Sequence, residues 1–302
     1  MKNHSPHKTY KQRIGILKKA CRNFGGYEGM LFPAYVELYG LNDFDISIEA
    51  MAHFTRFSSA EFAVRPFIAQ YPEQMFKQLS LWAESTDPHI RRLASEGCRP
   101  RLPWATSLPA LKADPSAIFP VLDKMMTDES LYVRKSVANN LNDISKDHPA
   151  LVLAFCRAWK NRQAESEWII KRACRSLLKN ADAETLSFFE YSDVSHYRPV
   201  AIRLSCNKLM LGDTLEFTFP SPVVSALPVK TRLEFAIHFV GKNRPRRKVF
   251  HLHDGELDHQ PRIFRHTYSF SDKTTRKHYP GEHLLELLVN GQKMASAKFT
   301  VF

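Results

Sequence analysis

Cysteine is too scarce and too scattered to brace this 302-residue chain. Cys21, Cys98, Cys156, Cys174 and Cys206 are odd in number and form no CxxC pair. That argues against a disulfide framework and against a cysteine zinc site, and it fits reduced thiols in a cytosolic protein. No stretch approaches the roughly 20 apolar residues of a membrane span. Met1 to His7 leads into polar and basic residues without an apolar core, so export is not expected. The thirteen histidines show no HExxH spacing. The nearest approach, His251-Leu252-His253-Asp254, reads more simply as a polar strand edge than as a metal site. P-loop, Rossmann glycine fingerprint and nucleophile elbow are all missing, and neither metal nor organic cofactor is expected. Acid is in deficit as well: 31 Asp and Glu against 43 Lys and Arg leave a net charge of +12, which favours a polyanionic partner.

Length allows two domains with cores of their own, and the apolar period changes along the chain. In the first part apolar residues recur at helical spacing, as in Phe62, Val64, Phe67, Ile68 and in Met75, Leu79, Leu81, Trp82. Turn signals such as Thr86-Asp87-Pro88 and Asp147-His148-Pro149 separate these runs. A repeat lies beneath them. The stretches around Ile90-Arg91-Arg92, Val133-Arg134-Lys135 and Ile170-Lys171-Arg172 each set a branched apolar residue before two basic ones. Their offset of roughly 40 residues is that of HEAT-like helical pairs. Ile90, Val133 and Ile170 should bury, while the basic pairs line one surface of a stacked solenoid as a stripe suited to a polyanion.

Beyond about residue 197 apolar residues alternate, as in Thr214 to Phe219 and Arg232 to Phe239. Asn290-Gly291 is a strong hairpin signal. About seven short strands predict an immunoglobulin-like sandwich. The expected fold is therefore multidomain α then β: a HEAT-like α-solenoid over 1–194 followed by an immunoglobulin-like β-sandwich over 197–302. The second part carries about +8 of the net charge, concentrated in Lys242 to Lys248. Arg244, Arg246, Arg247 and Lys248 there either clamp phosphates or protect a strand edge by charge.

Candidate chemistry reduces to carboxylates in unusual company. A helix through Arg91 and Arg92 should end near Gly97, before Pro100. Glu96 then lies in the last turn, where the helix dipole opposes a carboxylate. It stands among Arg92, Arg99 and Arg101, with Trp104 close by. Glu61 opens an otherwise apolar helix behind Ser58 or Ser59, where a capping box is an equally good explanation. Asp143 closes an unusually polar helix end at Asn139-Asn140-Leu141-Asn142 and is open to a plain C-terminal-turn reading.

Arg91 to Trp104 resembles the signature of the AlkC branch of the AlkC/AlkD DNA alkylation-repair glycosylases. Tyr132 to Lys146 and Phe57 to Phe67 resemble two further blocks of that family. The similarity covers most of residues 45–180. Some members also carry a C-terminal immunoglobulin-like domain, and members often have more helical sequence before the Glu61 block. The resemblance implies a monofunctional DNA glycosylase that removes cationic 3-methyladenine and 3-methylcytosine from double-stranded DNA without base flipping. It assigns Glu61, Glu96 and Asp143 to the lesion as catalytic acids, and Arg92 and Arg99 to phosphates or to fixing Glu96. Trp104 would pack on a deoxyribose or base edge. Arg101, Arg134, Lys135 and Arg172 would bind backbone, and the Arg244–Lys248 cluster would extend the grip. A cytoplasmic monomer with no obligate protein partner is expected. The rival reading is a non-catalytic HEAT-type scaffold on nucleic acid, in which Glu96 only pairs with an arginine. A protein-interaction adaptor is weaker, because positive charge recurs in both parts.

Overall fold

In the computed structural model, residues 8–272, 274 and 277–302 are described. The stretch Met1 to His7, read above for an export leader, lies outside them. Among the described residues thirteen α-helices precede eight strands: α1 Tyr10–Ala20, α2 Leu31–Tyr39, α3 Phe44–Phe54, α4 Glu61–Gln70, α5 Pro72–Trp82, α6 Pro88–Gly97, α7 Pro109–Ala113, α8 Phe119–Asp123, α9 Leu131–Ile144, α10 Pro149–Trp159, α11 Ala164–Ala173, α12 Arg175–Lys179 and α13 Ala183–Phe188. The strands are β1 Arg203–Leu204, β2 Lys208–Leu209, β3 Thr214–Pro220, β4 Val229–Phe239, β5 Arg246–Leu257, β6 Ile263–Ser269, β7 Gly281–Val289 and β8 Gln292–Val301. Contacts divide the chain into two compact units, Met1–Ser176 and Leu177–Phe302. No helix of the described residues is long and apolar enough to cross a membrane.

The first unit is an α-helical repeat array. The proline turn signals become helix starts: Pro72, Pro88, Pro109 and Pro149 each occupy the first turn of a helix, where the missing N–H costs nothing. Asp87 caps α6 by accepting from the His89 N–H at 2.9 Å. The three repeat copies are α6, α9 and α11, with α6 packed on α9 and α9 on α11. Ile90, Val133 and Ile170 are buried at matching positions, as the repeat requires.

In the first two pairs the leading basic residue does not simply face solvent. Arg91 reaches back to the Ser85 and Thr86 carbonyls, and Arg134 to those of Asp128 and Glu129. Each thus holds the loop before its own helix. Arg91 also makes a two-pronged pair with Asp128 of the next repeat, at 2.6 and 3.0 Å.

The second unit is an immunoglobulin-like sandwich. One sheet runs β1-β3-β6 and the other β2-β8-β7-β4-β5, with β2 parallel to β8. Alternation in β3 sends Leu215, Phe217 and Phe219 inward, where they meet Phe235, Leu285 and Phe299. The β7–β8 hairpin turns at Asn290 and Gly291, both at positive φ (47° and 78°), as the Asn-Gly signal predicts. A side chain on Gly291 would collide with the Ala181 Cβ, so the chain before the sandwich packs on this turn. His251 to Asp254 lies on β5, the edge of the larger sheet. Asp254 is taken up there by Arg232 and Tyr191.

Candidate active site

Three helix ends converge in the first unit: the start of α4, the end of α6 and the end of α9. Gly97 lets two of them meet. It is the last residue of α6, and a Cβ there would stand 2.8 Å from Val64 Cγ1 on α4. The sequence suggests Gly97 for its conformational latitude at a helix end. Close approach of α4 is the stronger demand.

Glu61 is the first residue of α4. The capping-box alternative fails, because Ala60 is the N-cap and the Ser58 hydroxyl donates to the Gly26 carbonyl at 2.7 Å. Both Glu61 oxygens instead accept from Arg92, Nη1 to Oε2 at 3.1 Å and Nη2 to Oε1 at 3.2 Å. Only a planar guanidinium makes such a fork. Arg92 also lies 3.9 Å from Glu96 Oε1 and 5.3 Å from the Tyr132 ring centroid. Burial works against its charge, but the neighbouring Glu61 and then Glu96 outweigh that, and its pKa is raised.

Glu96 has both oxygens occupied. Oε1 accepts from Arg99 Nη1 at 2.5 Å and Oε2 from the Ser136 hydroxyl at 2.5 Å. The buried Arg99 turns its Nε to Asp143 Oδ2 at 2.9 Å, and Lys146 reaches Asp143 Oδ1 at 3.1 Å. Burial opposes the Arg99 charge too, and Glu96 and Asp143 overcome it, raising its pKa. The result is a chain of alternating sign: Glu61, Arg92, Glu96, Arg99, Asp143, Lys146. Its carboxylates are only 6%, 6% and 3% exposed at Glu61, Glu96 and Asp143, so each shows no more than an edge.

The other sequence candidates stand outside this chain of ion pairs. Arg101 pairs with Asp147 at the surface, at 2.6 and 3.0 Å. Trp104 is 99% exposed and holds a positive φ of 65°, unusual for so bulky a residue. Arg134 and Arg172 lie over the Trp168 ring at 5.9 and 5.5 Å, and Lys135 is exposed. On the second unit Arg244 precedes the edge strand β5, and Arg246, Arg247 and Lys248 open it. Arg247 is held by Glu286 at 3.2 Å, and Lys248 Nζ lies 5.2 Å from the Phe250 centroid.

Sequence reasoning missed Ser136, Lys146 and Arg65. Ser136 had one available signal: it puts a hydroxyl where the first repeat copy has Leu93. Lys146 lies three residues beyond Asp143, one turn along the chain, and that spacing is its only sequence signal. Arg65 sits in the apolar run of α4, yet it is buried and donates to three backbone carbonyls.

Two cavities flank α4. One, of about 850 Å³, is lined by Phe62, Arg65, Pro66, Trp104 and Leu108 among others. The other, of about 380 Å³, is lined by Tyr27, Arg56, Ser58, His89 and Tyr132 among others. Glu61, Glu96 and Asp143 line neither. Among the described residues no group of three or more His, Cys, Asp and Glu is placed to hold a metal ion.

The profile of the DNA alkylation repair enzymes matches residues 52–177, which include all three carboxylates. That of the C-terminal Ig-like domain of the uncharacterised protein YhaZ matches 199–302. The chain is 44% identical to uncharacterized protein YhaZ of Bacillus subtilis (strain 168) over 97% of its own length and 82% of that protein's. It superposes with a TM-score of 0.90 on Pseudomonas fluorescens alkylpurine DNA glycosylase AlkC bound to DNA containing an abasic site analog. There the identity is 36%, over 98% of this chain and 83% of that one.

Proposed function

The chain belongs to the AlkC branch of the DNA alkylation repair enzymes, and from that premise we propose that it hydrolyses the N-glycosidic bond of cationic alkylated bases in duplex DNA. The substrates are N3-alkylated adenine and cytosine, 3-methyladenine and 3-methylcytosine. Such a base carries a positive charge, so the C1′–N bond is weak before any protein acts. When it breaks, the bonding pair goes to the base nitrogen and neutralises the base. Positive charge is left on the sugar. Water adds its oxygen to C1′ and releases a proton, giving free base and an abasic site. No acid is needed for the leaving group, which separates this reaction from ordinary glycoside hydrolysis.

What the reaction does need is fixed negative charge near C1′ and an oriented water. Pre-set carboxylates supply the first at no cost of reorganisation, and one of them receives the proton. The observation that carries this reading is Glu96, a carboxylate fixed at both oxygens at the end of a helix that lacks any last-turn cation of its own. Glu61 and Asp143 extend the negative edge on either side, each held by an arginine. Each carboxylate is buried at a helix end with only an edge exposed, which supports a lesion addressed at the duplex surface rather than drawn into a pocket, unlike base-flipping enzymes. Trp104 and the exposed cations position the DNA without reading its sequence.

One observation favours the scaffold reading: every carboxylate of the chain already has a cation, so ion pairing alone accounts for its place. Base release from a duplex carrying 3-methyladenine or 3-methylcytosine separates the two. Wild type should release base, and Glu96→Gln, which keeps size and hydrogen bonding, should be slower by at least about 10-fold. Salt-sensitive DNA binding with no release by wild type would hand the function to the scaffold. Lys146, the lysine of the site, is paired as a cation with Asp143 rather than poised as a Schiff-base nucleophile, so borohydride should trap no protein–DNA adduct.

A further inference from the structure

Helix α6 ends under two electrostatic handicaps. Its last turn holds no basic residue and does hold Glu96, so its free carbonyls and a carboxylate lie together. Arg99 answers the carboxylate, and the cation that meets the carbonyls comes from another helix. Arg65, on α4 one turn beyond Glu61, is 4% exposed. Its Nη1 donates to the Arg99 carbonyl at 2.8 Å and, more weakly, to the Gly97 carbonyl at 3.4 Å. Its Nε donates to the Thr106 carbonyl at 2.7 Å. The first two bonds tie down the chain as it leaves α6, and the third ties down the far side of the Trp104 turn. Between these anchors lie the backbone of Arg99, whose guanidinium fixes Glu96 and Asp143, and Trp104 in its positive-φ conformation.

We infer that Arg65 is a positioning residue for the glycosylase reaction: by clamping residues 97–106 from α4 it sets the Arg99 guanidinium, and through it Glu96, together with the Trp104 indole. This rests on the proposed glycosylase reading. A lysine offers donors but no planar fork, and cannot span carbonyls seven residues apart in the same way. An apolar residue leaves all three carbonyls without their partner. The loop then relaxes by a fraction of an ångström or more, and misplacement on that scale is costly to rate.

The test compares wild type, Arg65→Met and Arg65→Lys in two assays. In single-turnover base release at saturating protein, Arg65→Met should be slower by about 10- to 100-fold. Its affinity for undamaged duplex should fall by less than the rate, because Arg65 is buried and, of the groups it holds, Trp104 alone is fully exposed. Arg65→Lys should recover part of the rate. In the Trp104→Ala background the cost of Arg65→Met should shrink, because the two share a loop. The second assay needs no activity: trypsin should cut after Arg101 faster in Arg65→Met than in wild type.

A folded Arg65→Met protein with wild-type rate would overturn the assignment. So would a rate loss that merely follows lost DNA affinity, or an unchanged cleavage rate at Arg101. If wild type itself releases no base, the glycosylase reading has failed, and cleavage at Arg101 alone still decides whether Arg65 holds the loop. Should Arg65→Met not fold, Arg65→Lys carries both assays with the same directions and smaller effects.

Discussion

Ser136 and Glu96 lie forty positions apart in sequence and share a 2.5 Å hydrogen bond, the α9 hydroxyl donating to the α6 carboxylate. Neighbouring repeats thereby fix one oxygen of the acid that the proposed chemistry depends on most. Arg99 fixes the other.

Ser136→Ala should therefore leave Glu96 paired on one side only. A buried acceptor that loses its donor costs about 1–3 kcal/mol. The expected result is a modest loss in urea stability and a several-fold slower base release at saturating protein, with unchanged binding to undamaged duplex. Release at the wild-type rate would show that Arg99 alone orients Glu96.

The Glu61–Arg92 pair makes a sharper stability prediction. Arg92→Met strands a buried carboxylate and should cost about 3–5 kcal/mol. Adding Glu61→Gln removes the stranded charge and should restore a large part of that loss. Equilibrium urea unfolding of both single variants and the double variant gives the coupling. Strict additivity would mean that the fork contributes nothing as a pair.

How much of this was legible in the sequence differs between fold and site. Two kinds of period marked two kinds of domain, and the Asn290-Gly291 turn landed where its dipeptide predicts, because both signals are local. Glu61, Glu96 and Asp143 were visible as acids in odd places, and the structure joins all three in one chain of ion pairs. Their partners were not visible. Whether Glu61 bonds a serine three residues back or an arginine 31 residues on is decided by helix packing, and the pattern Ser58 to Glu61 suits a capping box either way. Arg65 was hidden for the opposite reason. Glu61 one turn back is the partner its position suggests, whereas its actual partners are backbone carbonyls, which every sequence has.

The basic cluster of the second unit can be weighed by salt. Each phosphate contact contributes about 0.9 to the slope of log affinity against log salt. Arg244→Ala with Arg246→Ala should lower that slope by about 2 if both side chains meet phosphate. Arg247→Ala should change it less, because Glu286 already holds that guanidinium. Identical slopes for wild type and the double variant would return the cluster to the role of strand-edge protection.

Acid should weaken the sandwich. Burial holds His253, His266 and His283 below the ordinary imidazole range, and the His283 ring stacks on Phe299 at 5.4 Å. Their unfolded counterparts titrate near pH 6.5. With folded values below that, the unfolded chain binds more protons as pH falls. The stabilisation from keeping these rings neutral is thus whole above about pH 6.5 and is lost below it. Thermal unfolding of the full chain should show a lower midpoint for the second unit at about pH 5.5 than at about pH 7.5, and His283→Phe should narrow the gap. Equal midpoints at both pH values would contradict this.

The alternating chain from Glu61 to Lys146 has a consequence for the approach of DNA. Three carboxylates massed on a nucleic-acid face would repel a polyanion from a distance. Interleaved with Arg92, Arg99 and Lys146, they form a multipole of no net charge, whose field falls off faster with distance than that of bare carboxylates. Undamaged backbone therefore passes over the site without penalty, drawn by cations elsewhere on the protein. Only a positive charge brought into contact with the exposed carboxylate edges feels them one at a time. Such a site is silent at long range and selective at short range, which suits the proposed search past many ordinary bases for one cationic one.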